Sequence, residues 1–195
     1  MKEKNIFIIS GCNGAGKTTA SMTILPEILN CKEFVNADMI AQGLSPFRPE
    51  AVAFEAGRIM LKRIDDLIKT NENFAIETTL ATKSYKNKLE NAIAKGYKIK
   101  LLFFWLPNFE MAINRVAIRV SEGGHNIPTE VIERRYFRGI VNLFKIYIPL
   151  STEWVVFENS TNEPVLIAEF LNDTTVISND DFWTEINLIC RNNDQ

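Results

Sequence analysis

The run Phe7-Ile8-Ile9-Ser10 ends in a glycine-rich turn and then in Lys17-Thr18-Thr19. No other stretch restricts the fold as tightly. Gly11-Cys12-Asn13-Gly14-Ala15-Gly16-Lys17-Thr18 fits the pattern GxxxxGK[ST] without a mismatch. An apolar strand before it and a helix after it supply the context this pattern requires. Its glycines let successive backbone N–H groups turn inward on a phosphate, and the helix start adds the positive end of its dipole. Gly11, Asn13, Gly14, Ala15, Gly16, Lys17, Thr18 and Thr19 are therefore expected to hold a nucleoside triphosphate. Lys17 is expected on the β- and γ-phosphates and the Thr18 hydroxyl on Mg²⁺. Cys12 is expected to fill space within the loop.

The rest of the chain alternates apolar runs with longer amphipathic segments. Strands are expected at 5–10, 33–38, 73–78, 98–106 and 153–160, and helices at 17–29, 49–70, 83–95, 108–122 and 129–146. Several of the strands are apolar throughout, as strands covered on both faces are. This pattern predicts a three-layer α/β P-loop fold: a mostly parallel, five-stranded sheet with helices on both faces. At the end, 165–170 and 174–178 flank a turn at Asn172-Asp173 and read as a hairpin, with a short helix near 181–191. The expectation is one domain over 1–195, with a hairpin appendage over about 161–195.

With 46% hydrophobic residues and a net charge of −2, the chain can bury a core but carries no general affinity for polyanions. Binding to nucleic acid or a membrane surface is not expected. The apolar runs are too short to span a bilayer or serve as a signal peptide. Cys12, Cys31 and Cys190 lack metal-ligand spacing and read as reduced thiols, as in a cytoplasmic protein.

No NKxD motif is present to specify a guanine base, and the apolar run 101–106 ends in Leu106-Pro107 without an acid. Neither a GTPase switch nor a mechanical ATPase is expected. The acids fall after other strands: Asp38 in Val35-Asn36-Ala37-Asp38, and Glu77 in Ala75-Ile76-Glu77-Thr78-Thr79. In a doubly wound sheet the carboxyl ends of the strands meet over one crevice. Asp38 can there accept a hydroxyl proton or help Thr18 hold Mg²⁺, or it can cap a helix over 39–43. Asn36, Glu77, Thr78 and Thr79 are expected on the acceptor side, with Asn36 alternatively satisfying a turn. A second, basic cluster follows. Arg115 and Arg119 share a helix face, Ser121 to Pro128 form a loop, and Arg134, Arg135 and Arg138 sit on the next helix. Residues 108–140 are expected to close as a lid, with two or three of these five arginines catalytic and others, Arg115 and Arg135 among them, on the nucleotide. The alternative pairs Arg119 with Glu122 and Arg134 with Glu130 in solvent. His125 is expected to touch substrate or nucleotide once the lid closes, or else to make a loop hydrogen bond. Glu55 and Arg58 are expected either on the acceptor or in a surface ion pair.

The phosphate loop, "VNAD", "AIETT" and "RVAIRVSEGGHNIPTEVIERRYFRG" together resemble the zeta-toxin family of P-loop kinases. The resemblance spans roughly residues 5–160. It implies ATP as phosphoryl donor, Mg²⁺ as cofactor, a hydroxyl of UDP-N-acetylglucosamine as acceptor, and a protein antitoxin as partner. It implies Lys17 and Thr18 on ATP and Mg²⁺, Asp38 as base, Glu77 and Thr79 on the sugar nucleotide, and Arg119 with Arg134 or Arg135 as lid arginines. A nucleotide-dependent switch with slow hydrolysis, or a nucleoside or polynucleotide kinase, is the alternative the residues leave open.

Overall fold

The computed structural model of the protein describes residues 3–161 and 163–194. Strand β1 (Lys4–Gly11) leads through the glycine turn into helix α1 (Lys17–Thr23). The helix then widens into a π-turn over Ile24–Ile28, where Pro26 has no N–H for the regular ladder. Next come β2 (Phe34–Asn36), α2 (Ala37–Leu44), a 3₁₀ turn over Pro49–Val52, α3 (Ala53–Thr70), β3 (Phe74–Thr78), α4 (Lys86–Ala94) and β4 (Tyr97–Trp105). They are followed by α5 (Phe109–Ser121), α6 (Thr129–Asn142), a second π-turn over Leu143–Tyr147, the short α7 (Ile148–Leu150), β5 (Glu153–Glu158), β6 (Val165–Leu171), β7 (Thr174–Ile177) and α8 (Asp180–Asn192).

The strands form one sheet in the order β2-β3-β1-β4-β5-β6-β7. The first five pair in parallel, and helices cover both faces. The sheet therefore has seven strands where the sequence predicts five. The C-terminal hairpin supplies the two further strands: β6 pairs antiparallel with β5, and β7 with β6. Ile6, Ile8 and Ile9 of β1 are fully buried, as are Ile99, Leu101, Phe103, Phe104 and Trp105 of β4 to within a few per cent. Being buried on both faces is what makes these strands read as unbroken apolar runs.

Two local departures bear on the site. The second strand stops at Asn36, two residues earlier than predicted, and the helix offered as an alternative over 39–43 begins at Ala37. Its cap is Asn36, not Asp38: Asn36 Oδ1 accepts from the N–H groups of Asp38 (2.8 Å) and Met39 (3.2 Å). Asp38 consequently stands in the first turn of α2, where a carboxylate suits the helix dipole. Helix α6, in turn, is built into the core. Ile132, Tyr136, Gly139, Ile140 and Asn142 are buried. The Tyr136 hydroxyl donates to Leu106 O at 2.8 Å and accepts from Trp105 Nε1 at 3.2 Å.

Candidate active site

The chain runs from β1 out to β2 and back through β3, then crosses β1 to β4 on its other side. This reversal opens a crevice at the carboxyl ends of β1, β2 and β3. Register places Ser10 beside Thr78 and Asn36 beside Glu77, so the motifs after these strands are brought together.

The phosphate loop is held by its glycines. Gly14 and Gly16 have φ of 77° and 82°, conformations that L side chains rarely adopt. A Cβ on Gly14 would press on Ala112 O, and one on Gly16 on the Asn159 side chain. Gly11 and Ala15 are buried beneath the loop, and Asn13 is 4% exposed. Lys17 is buried as well. Its Nζ donates to Cys12 O at 2.8 Å and lies 3.9 Å from Glu77 Oε1. Burial lifts the Cys12 thiol to about 11, which leaves it an unreactive filler.

Glu77 organises the floor. Its carboxylate accepts from the Thr18 hydroxyl at 2.9 and 3.0 Å and from Asn36 Nδ2 at 2.9 Å. Burial raises its pKa above the ordinary glutamate value. Lys17 and the Thr18 hydrogen bond pull it down, while the Asp38 charge adds to the rise. The acid on the Thr18 hydroxyl is thus Glu77, on a strand next to β1. Asp38, expected there as a metal ligand, makes no hydrogen bond to Thr18 among the described residues. Asn36 both caps α2 and fixes Glu77, so its two readings hold together.

Three cavities meet at Asp38. A donor-side cavity of about 210 Å³ is lined by Gly14, Gly16, Lys17, Thr18, Thr19, Arg115 and Arg119, among others. A cleft of about 290 Å³ is lined by Asn36, Thr78, Thr79, Tyr85, Arg134, Arg135 and Arg138, among others. A third, of about 200 Å³, lies between α2 and the lid loop and includes His125, Pro49 and Arg135. Among the described residues, Asp38 alone lines all three.

The arginines divide between these spaces. Arg115 donates to Gly14 O (3.3 Å), Asn159 O (2.8 Å) and Ser160 O (2.6 Å), clamping the phosphate loop to the turn after β5. Among the described residues, Arg119 donates only to His125 O, at 3.2 Å, and its buried Nε has no partner. Arg135 donates to Asn13 Oδ1 at 3.3 Å, and burial lowers its pKa. The solvent pairs Arg119–Glu122 and Arg134–Glu130 do not form among the described residues. Glu55 and Arg58 stand exposed on α3, line none of these cavities and do not pair with each other.

Several residues of the site went unread in the sequence. Asn159 Nδ2 donates to Ala15 O at 2.8 Å, holding the phosphate loop from the end of β5. The end-of-strand logic that points to Asp38 and Glu77 also points to Asn159. Tyr85 lines the cleft. Asn142 Nδ2 holds Leu80 O at 2.7 Å, and the Tyr147 hydroxyl holds Thr82 O at 2.6 Å. Together they fix the turn after β3, where buried Leu80 adopts a φ of 57°.

Comparison with known proteins agrees with this geometry. The family model described as zeta toxin matches residues 45–168, well over half of the chain, with the phosphate loop and Asp38 lying ahead of the match. An uncharacterized protein of Haemophilus influenzae is 28% identical over 136 residues, covering 70% of this chain and 94% of that protein. Among solved structures, a chain of the AvrRxo1-ORF1:-ORF2 complex crystallised with ATP superposes with a TM-score of 0.75 at 17% identity, over 94% of this chain. This chain spans 63% of the length of that one. A chain of the PezAT chromosomal toxin–antitoxin system of Streptococcus pneumoniae superposes with a TM-score of 0.67 at 16% identity, over 98% of this chain and 86% of that one. At these identities the structural likeness speaks to fold alone. The family match reaches further: the chain belongs to the zeta toxin family.

Proposed function

We propose that the protein is a single-domain, cytoplasmic, ATP- and Mg²⁺-dependent kinase that phosphorylates a hydroxyl of a small-molecule acceptor. The observation that carries this reading is the position of Asp38, facing the donor cavity and both spaces open to an acceptor. A carboxylate at such a junction is placed to take a proton from a hydroxyl aimed at the donor phosphate.

The residues present fit the implied ligands. A loop whose Cβ positions are closed at Gly14 and Gly16, with Lys17 lying across it, fits a polyphosphate. Among the described residues no cluster of three His, Cys, Asp or Glu could hold a metal on its own. The Thr18 hydroxyl and the Glu77 carboxylate instead suit Mg²⁺, which is commonly held by one or two protein oxygens together with substrate phosphates. When bound, Mg²⁺ would neutralise phosphate charge. Lys17 would stabilise the β- and γ-phosphates, with Arg119 reaching in from α5. Arg115 and Asn159 keep the loop in shape. Asp38 accepts the acceptor's proton as the new oxygen–phosphorus bond forms and the bond from the γ-phosphorus to its bridging oxygen breaks, leaving ADP.

UDP-N-acetylglucosamine is the first acceptor to offer, and a protein antitoxin is the partner this reading adds. The test is labelled ATP offered to a panel of UDP-sugars, nucleosides and free sugars. One acceptor should be labelled, and Asp38→Asn should lower turnover by about 10²- to 10⁴-fold while ATP affinity stays unchanged. Turnover that survives Asp38→Asn at the wild-type rate would sink the assignment.

A further inference from the structure

We propose that Arg134 and Arg138 form an anion subsite for the acceptor, distinct from the arginines that face the donor. The two lie four residues apart on α6 and so share a face. Both line the 290 Å³ cleft, and neither lines the donor cavity. Arg115 and Arg119 show the reverse. This separates Arg134 from the donor-phosphate role that the family resemblance gives it, and assigns a role to Arg138.

The lining of the cleft identifies the ligand's chemistry. Its two carboxylates, Asp38 and Glu77, also line the donor cavity. Of the charged groups of the cleft, Arg134 and Arg138 line neither of the other two cavities, and they stand alongside the hydroxyls of Thr79, Thr82 and Tyr85. Arg135 is engaged with Asn13. Arg134 and Arg138 are exposed and, among the described residues, make no hydrogen bond or ion pair. Guanidinium groups that no carboxylate pairs, set beside hydroxyls, suit a phosphate or diphosphate oxyanion.

The subsite is also held in place. A Cβ on Gly139 would lie 2.5 Å from Thr79 O, so α6 rests directly on the turn after β3. Asn142 and Tyr147 hold the same turn. The arginines of α6 are therefore fixed relative to Glu77 and Thr78, and the segment free to close is smaller than 108–140. An acceptor carrying phosphate would be anchored at Arg134 and Arg138 before its hydroxyl meets Asp38, which lowers the ordering cost of the reactive pose.

Calling this ligand the acceptor rests on the kinase reading; the subsite itself is tested by binding alone. Inorganic pyrophosphate is titrated into protein saturated with a non-hydrolysable ATP analogue and excess Mg²⁺. The expected result is one site, weakened about tenfold by Arg134→Ala or Arg138→Ala. Arg191→Ala, which removes the same charge from α8, should change binding by less than about twofold. Affinity for the ATP analogue should be unchanged in both α6 variants, which also reports that they fold. The proposal is overturned if pyrophosphate does not bind the nucleotide-filled protein, if either α6 variant binds it as the wild type does, if Arg191→Ala weakens it equally, or if the α6 variants lose the ATP analogue. Failure of phosphoryl transfer would overturn the kinase reading and leave this isotherm standing.

Discussion

The donor and acceptor sides of the crevice are built in opposite ways. The donor side is a single contiguous loop, Gly11 to Thr19, whose shape is set by backbone conformation at Gly14 and Gly16. The acceptor side is assembled from α2, the turn after β3, the lid loop and α6, and is held by side chains reaching between them. A contiguous backbone site fixes what it binds, here a polyphosphate, and leaves little freedom to change. A site pieced together from several elements can change its ligand through single side chains while the fold stays as it is. Glu77 lies on the seam, bonded to Thr18 on one side and Asn36 on the other.

The sharpest way to break this comparison is to remove the one charged side chain of the phosphate loop. Lys17→Ala should weaken ATP on the order of a hundredfold, since two charge-assisted hydrogen bonds to phosphate are lost. Far-ultraviolet dichroism should stay that of the wild type, because the loop is shaped by glycines and by Asn159. Calorimetric titration with the ATP analogue reads the effect. Affinity within about fivefold of wild type would mean that the loop does not grip phosphate as its shape suggests.

The same contrast governs what the sequence discloses. The phosphate loop is local, so its residues, context and chemistry are legible together. The parallel strands are legible because burial on both faces leaves continuous apolar runs. The 39–43 alternative starts two residues after helix α2 does, because "VNAD" extends a strand pattern through Asp38, although Asn followed by Ala-Asp is also a helix start. Glu55 and Arg58 stand away from the three cavities for a reason the sequence contains. The buried face of α3 follows Ala56, Met60, Ile64 and Leu67, which leaves positions 55 and 58 in solvent. The contacts of Asn142, Tyr147 and Asn159 could not be read, since each joins segments at least 62 residues apart. The pairing of the hairpin with β5 was equally hidden, because strand alternation does not name a strand's neighbour.

A smaller effect is expected on the acceptor side, at Gly139. In an ordinary helix interior, Gly→Ala stabilises by about 1 kcal/mol. Here the added methyl would meet the Thr79 carbonyl on a turn pinned by two further hydrogen bonds. Overpacking of this kind costs about 1–3 kcal/mol, so the net change should be destabilising. Urea unfolding of Gly139→Ala should show a lower midpoint, with ATP affinity kept and pyrophosphate affinity reduced. A variant more stable than the wild type would show that α6 does not rest on that turn, and the fixed acceptor side would fall with it.

The smallest effect lies at the seam and depends on pH. Burial raises the Glu77 carboxyl above its ordinary value, so the folded protein keeps a proton there at pH values where the unfolded chain has lost it. The stability contributed by that proton is fully present below the unfolded glutamate's titration and is lost as pH rises through the raised folded value. Glutamine has no such titration. Without ligand, the stability difference between Glu77→Gln and wild type should therefore move in the variant's favour between about pH 4 and about pH 7. With Mg²⁺ and the ATP analogue the order at neutral pH should reverse. The ligand draws on the charged carboxylate, so only the wild type gains the full linkage stabilisation. Urea unfolding across that range, with and without ligand, tests both halves. A difference flat in pH would show that Glu77 is not held against its charge. A variant stabilised by Mg²⁺ and nucleotide as strongly as the wild type would separate Glu77 from the metal and return it to the acceptor side alone.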